Sequence, residues 1–155
     1  MTIRTTLKVS CLSFVRSDEA KAKGVTLKAP REGDAGFDLP SLEDVEVPPK
    51  SFCVLRTGIH LAIPLGWYGQ VRDRSSIALK GGAVTAGVID SGYRGEVKVA
   101  FHNLSNEPIR FATGDKIAQC IVIPHLDGTE CFEAEELDKL GTTKRGVAGF
   151  GSTGK

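Results

Sequence analysis

The sequence lacks an excess of charge of either sign, which excludes whole classes of binding partner. Its 155 residues hold 20 Lys and Arg against 19 Asp and Glu, a formal net charge of +1. General binders of nucleic acid or membrane surfaces need a basic excess over a whole face, so we expect no nucleic-acid partner and no membrane partner. A local basic site for a small anion remains open.

Long apolar runs and paired cysteines are lacking too. No apolar segment is long enough to span a bilayer, and the apolar stretch near the N-terminus is too short for a signal peptide. No C-x-x-C pair and no metal-ligand spacing to a histidine occurs around the four cysteines, Cys11, Cys53, Cys120 and Cys131. We therefore predict reduced, mostly buried thiols in an intracellular protein.

Helical periodicity is scarce, whereas short apolar or alternating runs recur between breaks rich in Pro, Gly and Asn. The runs are TLKVSCLSF, FCVLRTG, IHLAIP, WYGQVR, EVKVAFHN and KIAQCIVIP. This spacing predicts one all-β domain: a sandwich, a barrel or a jelly roll. The alternation of Leu7, Val9 and Cys11 predicts a first strand. One short helix is expected in SSIALKGG, with Ser75 or Ser76 as its N-cap.

The chain changes character after Pro124. Residues 126–155 are acidic and polar and end in a Gly-rich stretch, with little apolar surface for a core of their own. We therefore predict a β core over residues 1–125. Residues 126–155 should form a mobile arm that becomes ordered only when it gains a partner.

The last seven residues, GFGSTGK, fit most of the phosphate-loop pattern G-x-x-x-x-G-K. A phosphate loop follows a strand, whereas an acidic coil precedes these glycines, so we reject that interpretation. The chemistry still suits an anion, because Gly151 lets backbone N–H groups converge and Ser152 and Thr153 add hydroxyl donors. Arg145 offers bidentate contacts to phosphate, and stacking on a flat ligand would explain Phe150. A frayed Gly/Ser terminus is the alternative.

Three stretches of the core place polar side chains at turns or inside apolar runs. In DAGFDLPS, Asp38 is either a structural turn aspartate or a carboxylate that holds Mg²⁺ directly or through a water. In VRDRSSIALKG, Arg74 beside hydroxyl side chains suits an oligophosphate, although a simple capped helix is nearly as good an interpretation. In GDKIAQCIVIP, Gln119 is either hydrogen-bonded in the core or in contact with a ligand.

A fourth stretch, AGVIDSGYRGEVKVAFHN, predicts a strand, a tight turn and a second strand. Asp90 follows Val88 and Ile89, where an apolar wall meets a polar bend, and such a carboxylate can accept a proton from water. Capping of the turn by the same side chain is the alternative. Tyr93 either packs under a sugar ring or seals the hairpin.

Together and in this order, the five stretches resemble the five sequence motifs of the trimeric dUTP diphosphatases (dUTPases), from about Asp34 to the C-terminus. The resemblance implies a jelly-roll-like β-barrel (a β-clip) and a homotrimer whose active sites are shared between subunits, with the arm closing a neighbour's site. It implies hydrolysis of dUTP to dUMP and pyrophosphate, with Mg²⁺ bound to the triphosphate. Such an enzyme keeps uracil out of DNA and supplies dUMP for dTMP synthesis.

The resemblance also implies a role for each matched residue. Asp90 matches the general base that activates water for in-line attack on the α-phosphorus. Tyr93 matches the ring that packs on the deoxyribose, and Asp38 the aspartate that contacts the water shell of the metal. The positions matched to phosphate or uracil contacts are Arg74, Ser75, Ser76 and Gln119 in the core and Arg145, Phe150, Gly151, Ser152 and Thr153 in the arm.

Uracil selectivity in this family comes largely from backbone groups of the third-motif hairpin, here about residues 82–93. The residues matched to the base are Gly87, Val88 and Ile89. Some members have an Asn six residues before the catalytic Asp, and Val84 stands there in this chain, so recognition should rest on the backbone. Asp73 replaces the usual Pro or Gly of the second motif, and its charge would weaken phosphate binding if it pointed inward.

Two competing functions remain. The nearest rival enzyme is dCTP deaminase, which resembles the dUTPases in fold and in parts of the motifs, but the complete Gly-rich arm favours phosphate hydrolysis. Zinc-dependent deamination is excluded because the H-x-E and C-x-x-C ligands are missing. A non-catalytic binding protein on the same scaffold is the other alternative, and such a protein has no need of the Asp90 carboxylate.

Overall fold

The computed structural model describes residues 12–126, 133–136, 139, 141 and 143. Within them the strands are β1 (Ser13–Arg16), β2 (Phe37–Pro40), β3 (Val45–Val47), β4 (Ser51–Ala62), β5 (Trp67–Arg72), β6 (Gly82–Thr85), β7 (Val88–Ile89), β8 (Glu96–Asn103), β9 (Ile109–Phe111) and β10 (Lys116–Pro124). Two short helices accompany them, α1 (Asp18–Ala22) and α2 (Ser75–Ala78). The all-β prediction is confirmed. Neither helix of this described part has the length and apolar character needed to cross a membrane.

Two antiparallel four-stranded sheets and a two-stranded ribbon form the architecture. Sheet A has the strand order β1-β4-β8-β6, sheet B has the order β2-β10-β5-β7, and β3 pairs with β9. Successive strands such as β4 and β5, or β7 and β8, change sheet, which gives the jelly-roll-like character. One apolar core draws on both sheets, including Leu55, Val97 and Phe101 from sheet A and Leu39, Ile117 and Cys120 from sheet B.

Alternation along the strands explains how the core forms. In β8, Val97, Val99 and Phe101 are fully buried, while Lys98 between them is exposed. The ring of Phe101 meets that of Phe111 edge to face, with centroids 5.4 Å apart. Such a pair contributes about 0.5–1.5 kcal/mol beyond the area it buries. The β-branched and aromatic residues of β8 therefore connect sheet A to the β3–β9 ribbon.

The helix prediction requires two corrections. A second helix, α1, forms because Ser17 accepts a hydrogen bond from the Ala20 N–H at 3.1 Å and acidic residues occupy the first turn, an arrangement that stabilises a helix start. In α2 neither Ser75 nor Ser76 is the N-cap. That position belongs to Arg74, which is extended and makes no side-chain cap, because both serines already lie within the helical turn.

The hairpin prediction is correct for the turn and wrong for the pairing. The Tyr93 N–H donates to the Asp90 carbonyl at 3.1 Å, which closes the expected turn. Strand β7 nevertheless pairs with β5, whereas β8 lies between β4 and β6. Because both edges of β8 are occupied, β7 cannot join it. Residues 82–93 do not form a paired hairpin either, because β6 and β7 belong to different sheets.

The structure also bears on the predictions for the runs of β4 and for the cysteines. The runs FCVLRTG and IHLAIP form the single strand β4, whose pairing with β8 shifts register around Gly58 at φ +67°. Cys53 and Cys120 are free thiols, as predicted. Burial raises the pKa of both thiols, that of Cys120 to about 12. The strand predicted at Leu7, Val9 and Cys11 and the reduced thiols predicted for Cys11 and Cys131 lie outside the described residues.

Candidate functional site

The first group of predicted site residues lies together at one end of sheet B. Asp38 of β2 is in register with Gln119 of β10, which is in register with Arg72 of β5. Arg74 and Ser75 follow directly where β5 gives way to α2. These segments enclose a cleft of about 490 Å³. We call it the cationic cleft, and its ionisable and polar lining residues are Lys28, Arg31, Asp34, Asp38, Arg74, Ser75, Lys116 and Gln119.

The charge of the cationic cleft is positive. Four basic side chains and two carboxylates line it, and four minus two leaves a net charge of two positive units. The lining is predominantly polar, and two of the four cations, Arg74 and Lys116, pair with Asp38. A cleft of this character suits a multiply charged anion such as an oligophosphate.

Asp38 holds two cations at once. Its Oδ1 accepts a hydrogen bond from Arg74 Nε at 2.7 Å, and its Oδ2 lies 2.6 Å from Lys116 Nζ. Burial raises the pKa of this carboxyl, but the hydrogen bonds and charges of Lys116 and Arg74 outweigh burial and leave the pKa below its ordinary value. Asp38 is therefore ionised at neutral pH and fixes both cations at the wall of the cleft.

Arg74 is fixed from a second side as well. Its Nη1 donates to Ser76 Oγ at 3.3 Å and contacts the Lys116 carbonyl at 3.5 Å. Ser75 lines the cationic cleft, whereas Ser76 lines a neighbouring cavity on the other side of Arg74. The two serines, matched alike in the sequence, thus face different spaces: Ser75 is available to a ligand in the cleft, and Ser76 positions the guanidinium.

Gln119 makes the hydrogen bond that the first of its two predicted roles requires. Its Nε2 donates to the Asp73 carbonyl at 2.9 Å, and the half-buried side chain also lines the cleft. The Asp73 carboxylate accepts a hydrogen bond from the Val84 N–H at 3.1 Å. Asp73 therefore faces the backbone of β6 and does not add its charge to the cationic cleft.

Sequence reasoning missed three cations of the cleft: Lys28, Arg31 and Lys116. Lys116 and Gln119 are three residues apart, so a regular strand would point them to opposite faces. Between Lys116 and Ala118 the pairing of β10 with β2 shifts register. Such a bulge re-aims side chains near a site, and both residues line the cleft as a result. No period-two reading of the sequence could have found this.

The second group of predicted residues lies at another cavity. A hollow of about 180 Å³ is lined by Val88, Ile89, Asp90, Tyr93, Glu96 and Lys98, and we call it the tyrosine hollow. The Tyr93 hydroxyl donates to the Glu96 carbonyl at 3.0 Å, yet 43% of the residue stays exposed. Gly95, also missed, makes this possible, since a Cβ there would come within 2.3 Å of the Tyr93 hydroxyl.

Asp90 is exposed at the rim of the tyrosine hollow. Within residues 12–126, no hydrogen bond or ion pair engages its carboxylate. Gly87, before β7, is held against β5, because its carbonyl accepts from the Val71 N–H at 2.7 Å. A carboxylate without competing partners beside a half-exposed aromatic ring can orient a water molecule and a flat or ring-shaped substrate.

The two groups of predicted residues line separate cavities of the chain. In the described part, the cationic cleft and the tyrosine hollow have no lining residue in common. The predicted residues of the arm, Arg145, Phe150, Gly151, Ser152 and Thr153, lie outside the described residues.

The carboxylates and other possible metal ligands of the described residues can be compared with the expected Mg²⁺ site. The described residues contain no group of three His, Cys, Asp or Glu side chains that could hold a metal ion. Both Asp38 oxygens are already engaged by cations. The residues therefore do not form a metal site of their own. Their chemistry would suit a Mg²⁺ ion that arrives on phosphate oxygens and keeps several of its waters, with Asp38 as a carboxylate of the same cleft.

Comparison with known proteins gives a consistent result. The profile of the dUTPase family matches residues 22–154. The deoxyuridine 5′-triphosphate nucleotidohydrolase of Wolinella succinogenes is 46% identical over 126 residues, which cover 79% of this chain and 82% of that protein. The Candida albicans enzyme of the same name is 39% identical and covers 96% of this chain and 95% of its own.

A solved structure extends the likeness to the fold. The dUTPase of Staphylococcus bacteriophage 80alpha, determined with dUpNHpp, superposes with a TM-score of 0.80 at 26% sequence identity. The superposition covers 94% of this chain and 99% of the phage chain.

Proposed function

The chain belongs to the dUTPase family and is a hydrolase of that family, and from this premise we propose that it converts dUTP to dUMP and pyrophosphate by Mg²⁺-assisted in-line attack of water on the α-phosphorus. The observation that carries the proposal is the cationic cleft around Asp38, whose charge suits a triphosphate. In the cell, this reaction would keep uracil out of DNA and supply dUMP for dTMP synthesis.

Binding of the triphosphate falls to the cationic cleft. Arg74 presents a planar fork of donors that matches phosphate oxygens, and Asp38 keeps it oriented before the ligand arrives. Ser75 and Gln119 add neutral donors along the same wall. In the arm, we assign Arg145, Ser152 and Thr153 to the γ-phosphate and Phe150 with Gly151 to the base. Residues 1–125 are the core and residues 126–155 the arm in this assignment.

Charge neutralisation and positioning lower the barrier. When bound on the triphosphate, Mg²⁺ would supply part of both, and Asp38 is the carboxylate of the cleft that would face its water shell. Asp90 acts as the general base: its free carboxylate takes a proton from the water that attacks the α-phosphorus in line with the leaving pyrophosphate. The new P–O bond forms as the bond between the α-phosphorus and the bridging oxygen breaks. Tyr93 packs on the deoxyribose and leaves no room for a 2′-hydroxyl.

We propose a homotrimer whose sites join the cationic cleft of one copy to the tyrosine hollow of another. The separation of the two cavities within one chain supports this. So does the outer face of sheet A, where Phe52 and Val54 are 54% and 51% exposed. Their cross-strand partners His102 and Ala100 lie on the same face, so an apolar strip crosses the sheet. Another copy would remove this strip from water.

Product analysis tests the proposed reaction. The purified protein is incubated with Mg²⁺ and, separately, with dUTP, dCTP, dTTP and UTP, and the products are separated by ion exchange. We expect dUMP and pyrophosphate from dUTP alone. Formation of dUTP from dCTP would show a deaminase instead, and no product from any nucleotide would make a non-catalytic binding protein the leading hypothesis.

The Asp90→Asn variant separates binding from catalysis. It keeps the shape of the side chain but is a far weaker base, so we expect dUTP to bind and turnover to fall by at least about a hundredfold, the usual contribution of a general base. Undiminished turnover in this variant would remove Asp90 from the mechanism.

A further inference from the structure

Ala86 has a backbone conformation that side chains rarely adopt. Its φ is +54°, and the other non-glycine residue with positive φ in the described part is Lys50, also at 54°. For a residue with a Cβ, the left-handed region is uncommon and costs on the order of 1–2 kcal/mol. Such strain persists only where the surrounding structure imposes it.

The location of this kink is specific. Ala86 lies between β6, which ends at Thr85 in sheet A, and β7, which begins at Val88 in sheet B. The next residue, Gly87, is packed so closely on β5 that a Cβ would come within 2.4 Å of the Val71 carbonyl oxygen. The kink thus moves the chain from one sheet to the other and delivers Gly87 against β5.

The kink also sets which backbone groups of β7 are free. The Gly87 carbonyl accepts a hydrogen bond from the Val71 N–H, and Val88 lies opposite Gln70 in the pairing of β7 with β5. Hydrogen-bonded and non-hydrogen-bonded pairs alternate along an antiparallel ladder, so the N–H and C=O of Val88 point away from β5. Strand β7 is the last strand of sheet B, and within the described residues no strand pairs with its outer edge.

A free N–H beside a free C=O can read one edge of a pyrimidine. Uracil presents a donor at N3 next to an acceptor at O4, whereas cytosine presents an acceptor at N3 next to a donor at N4. A pair of backbone groups in fixed order matches one base and leaves unpaired polar groups with the other. Shifting β7 by one residue would turn Val88 toward β5 and remove the match.

We propose that Ala86 is the positioning residue for base discrimination: its left-handed backbone sets the phase of β7 so that the Val88 peptide groups face the pyrimidine. This rests on the proposed function. Ala86 touches no reacting group and acts through Val88. A residue that tolerates positive φ should preserve discrimination, and one that resists it should lose discrimination even when the fold survives.

The test is a set of substitutions with a matched control. Ala86→Gly and Ala86→Asn allow the left-handed region, whereas Ala86→Val does not. Lys50→Val imposes the same backbone conflict at a position that lines neither the cationic cleft nor the tyrosine hollow. For each variant, kcat/KM is measured for dUTP and dCTP, with the thermal midpoint as a check of folding.

We expect the dUTP/dCTP ratio to stay within about twofold of wild type in the Gly and Asn variants and to fall about tenfold or more in Ala86→Val, the scale of losing one matched polar contact. Lys50→Val should lower the thermal midpoint and leave the ratio unchanged. A folded Ala86→Val with the wild-type ratio, or an equal loss in Lys50→Val, would overturn the proposal.

A replacement variant and a binding measurement distinguish failure of the Ala86 proposal from failure of folding or of the proposed function. If Ala86→Val is not recovered folded, Ala86→Leu, which is not β-branched, takes its place with the same expectation. If the wild type itself does not hydrolyse dUTP, the proposed function fails. Equilibrium binding of dUMP against dCMP to the same variants then decides whether Ala86 sets the base preference.

Discussion

Mixing two inactive variants should restore activity if the sites are shared between copies. Arg74 lines the cationic cleft and Asp90 the tyrosine hollow, and no described residue lines both. In a cyclic trimer, each site would take its cleft from one copy and its hollow from the next. With Arg74→Ala and Asp90→Asn chains mixed equally, half the clefts and half the hollows are intact, so about one quarter of the sites are whole.

The assay is steady-state dUTP hydrolysis after the two variants are denatured, combined in equal amounts and refolded. We expect about one quarter of the wild-type rate, while each parent alone stays near zero. The control mixture is Asp90→Asn with Tyr93→Ala. Asp90 and Tyr93 line the same hollow, so every copy in this mixture has a defective hollow, and activity should not rise above that of the two parents. If the first mixture stays inactive although mass spectrometry shows mixed assemblies, or if the control recovers equally, the reasoning is refuted.

Three other substitutions test individual contacts. Asp38→Asn should lower the free energy of unfolding at neutral pH, and the difference from wild type should disappear on acidification. The pKa of Asp38 is lower in the folded than in the unfolded state, so its ionised form stabilises the fold above the unfolded-state pKa, and this stabilisation is lost as the pH falls through the folded-state pKa. Urea midpoints that differ equally at all pH values would contradict this. Asp73→Ala should lower the free energy of unfolding in urea by about 1 kcal/mol, because the hydrogen bond from the Val84 N–H is lost. An unchanged free energy of unfolding would show that this hydrogen bond does not stabilise the fold. Gly95→Ala should displace Tyr93, raise KM for dUTP and admit UTP; kinetics identical to wild type would show that the contact is unimportant.

What could be predicted from the sequence follows from local rules. Short apolar or alternating runs are a local signal, and they correctly predict β8 and β10 as strands. The turn after Asp90 is also local and forms as expected. Residues such as Arg74 and Gln119 were found because polar side chains stand out beside apolar strands. The order of the strands in the two sheets was not accessible in this way, because pairing depends on which edges remain free after distant segments have paired.

The features that the sequence does not reveal also depend on how distant strands pair. Lys116 reaches the cationic cleft only through the bulge in β10, and a bulge depends on the partner strand. Asp73 lies beside the phosphate motif in sequence, yet its carboxylate turns to the Val84 N–H on β6. The kink at Ala86 arises because the chain must pass from sheet A to sheet B. Each of these is a consequence of tertiary pairing, which no window of sequence around the residue contains.

The position of water attack tests most directly whether the enzyme cleaves dUTP at the α-phosphorus. The enzyme turns over dUTP and Mg²⁺ in heavy-oxygen water, and mass spectrometry locates the label in the products. Attack on the α-phosphorus predicts one heavy oxygen in dUMP and none in pyrophosphate. Label in pyrophosphate would mean attack on the β-phosphorus and would contradict the mechanism assigned to Asp90 and the cationic cleft.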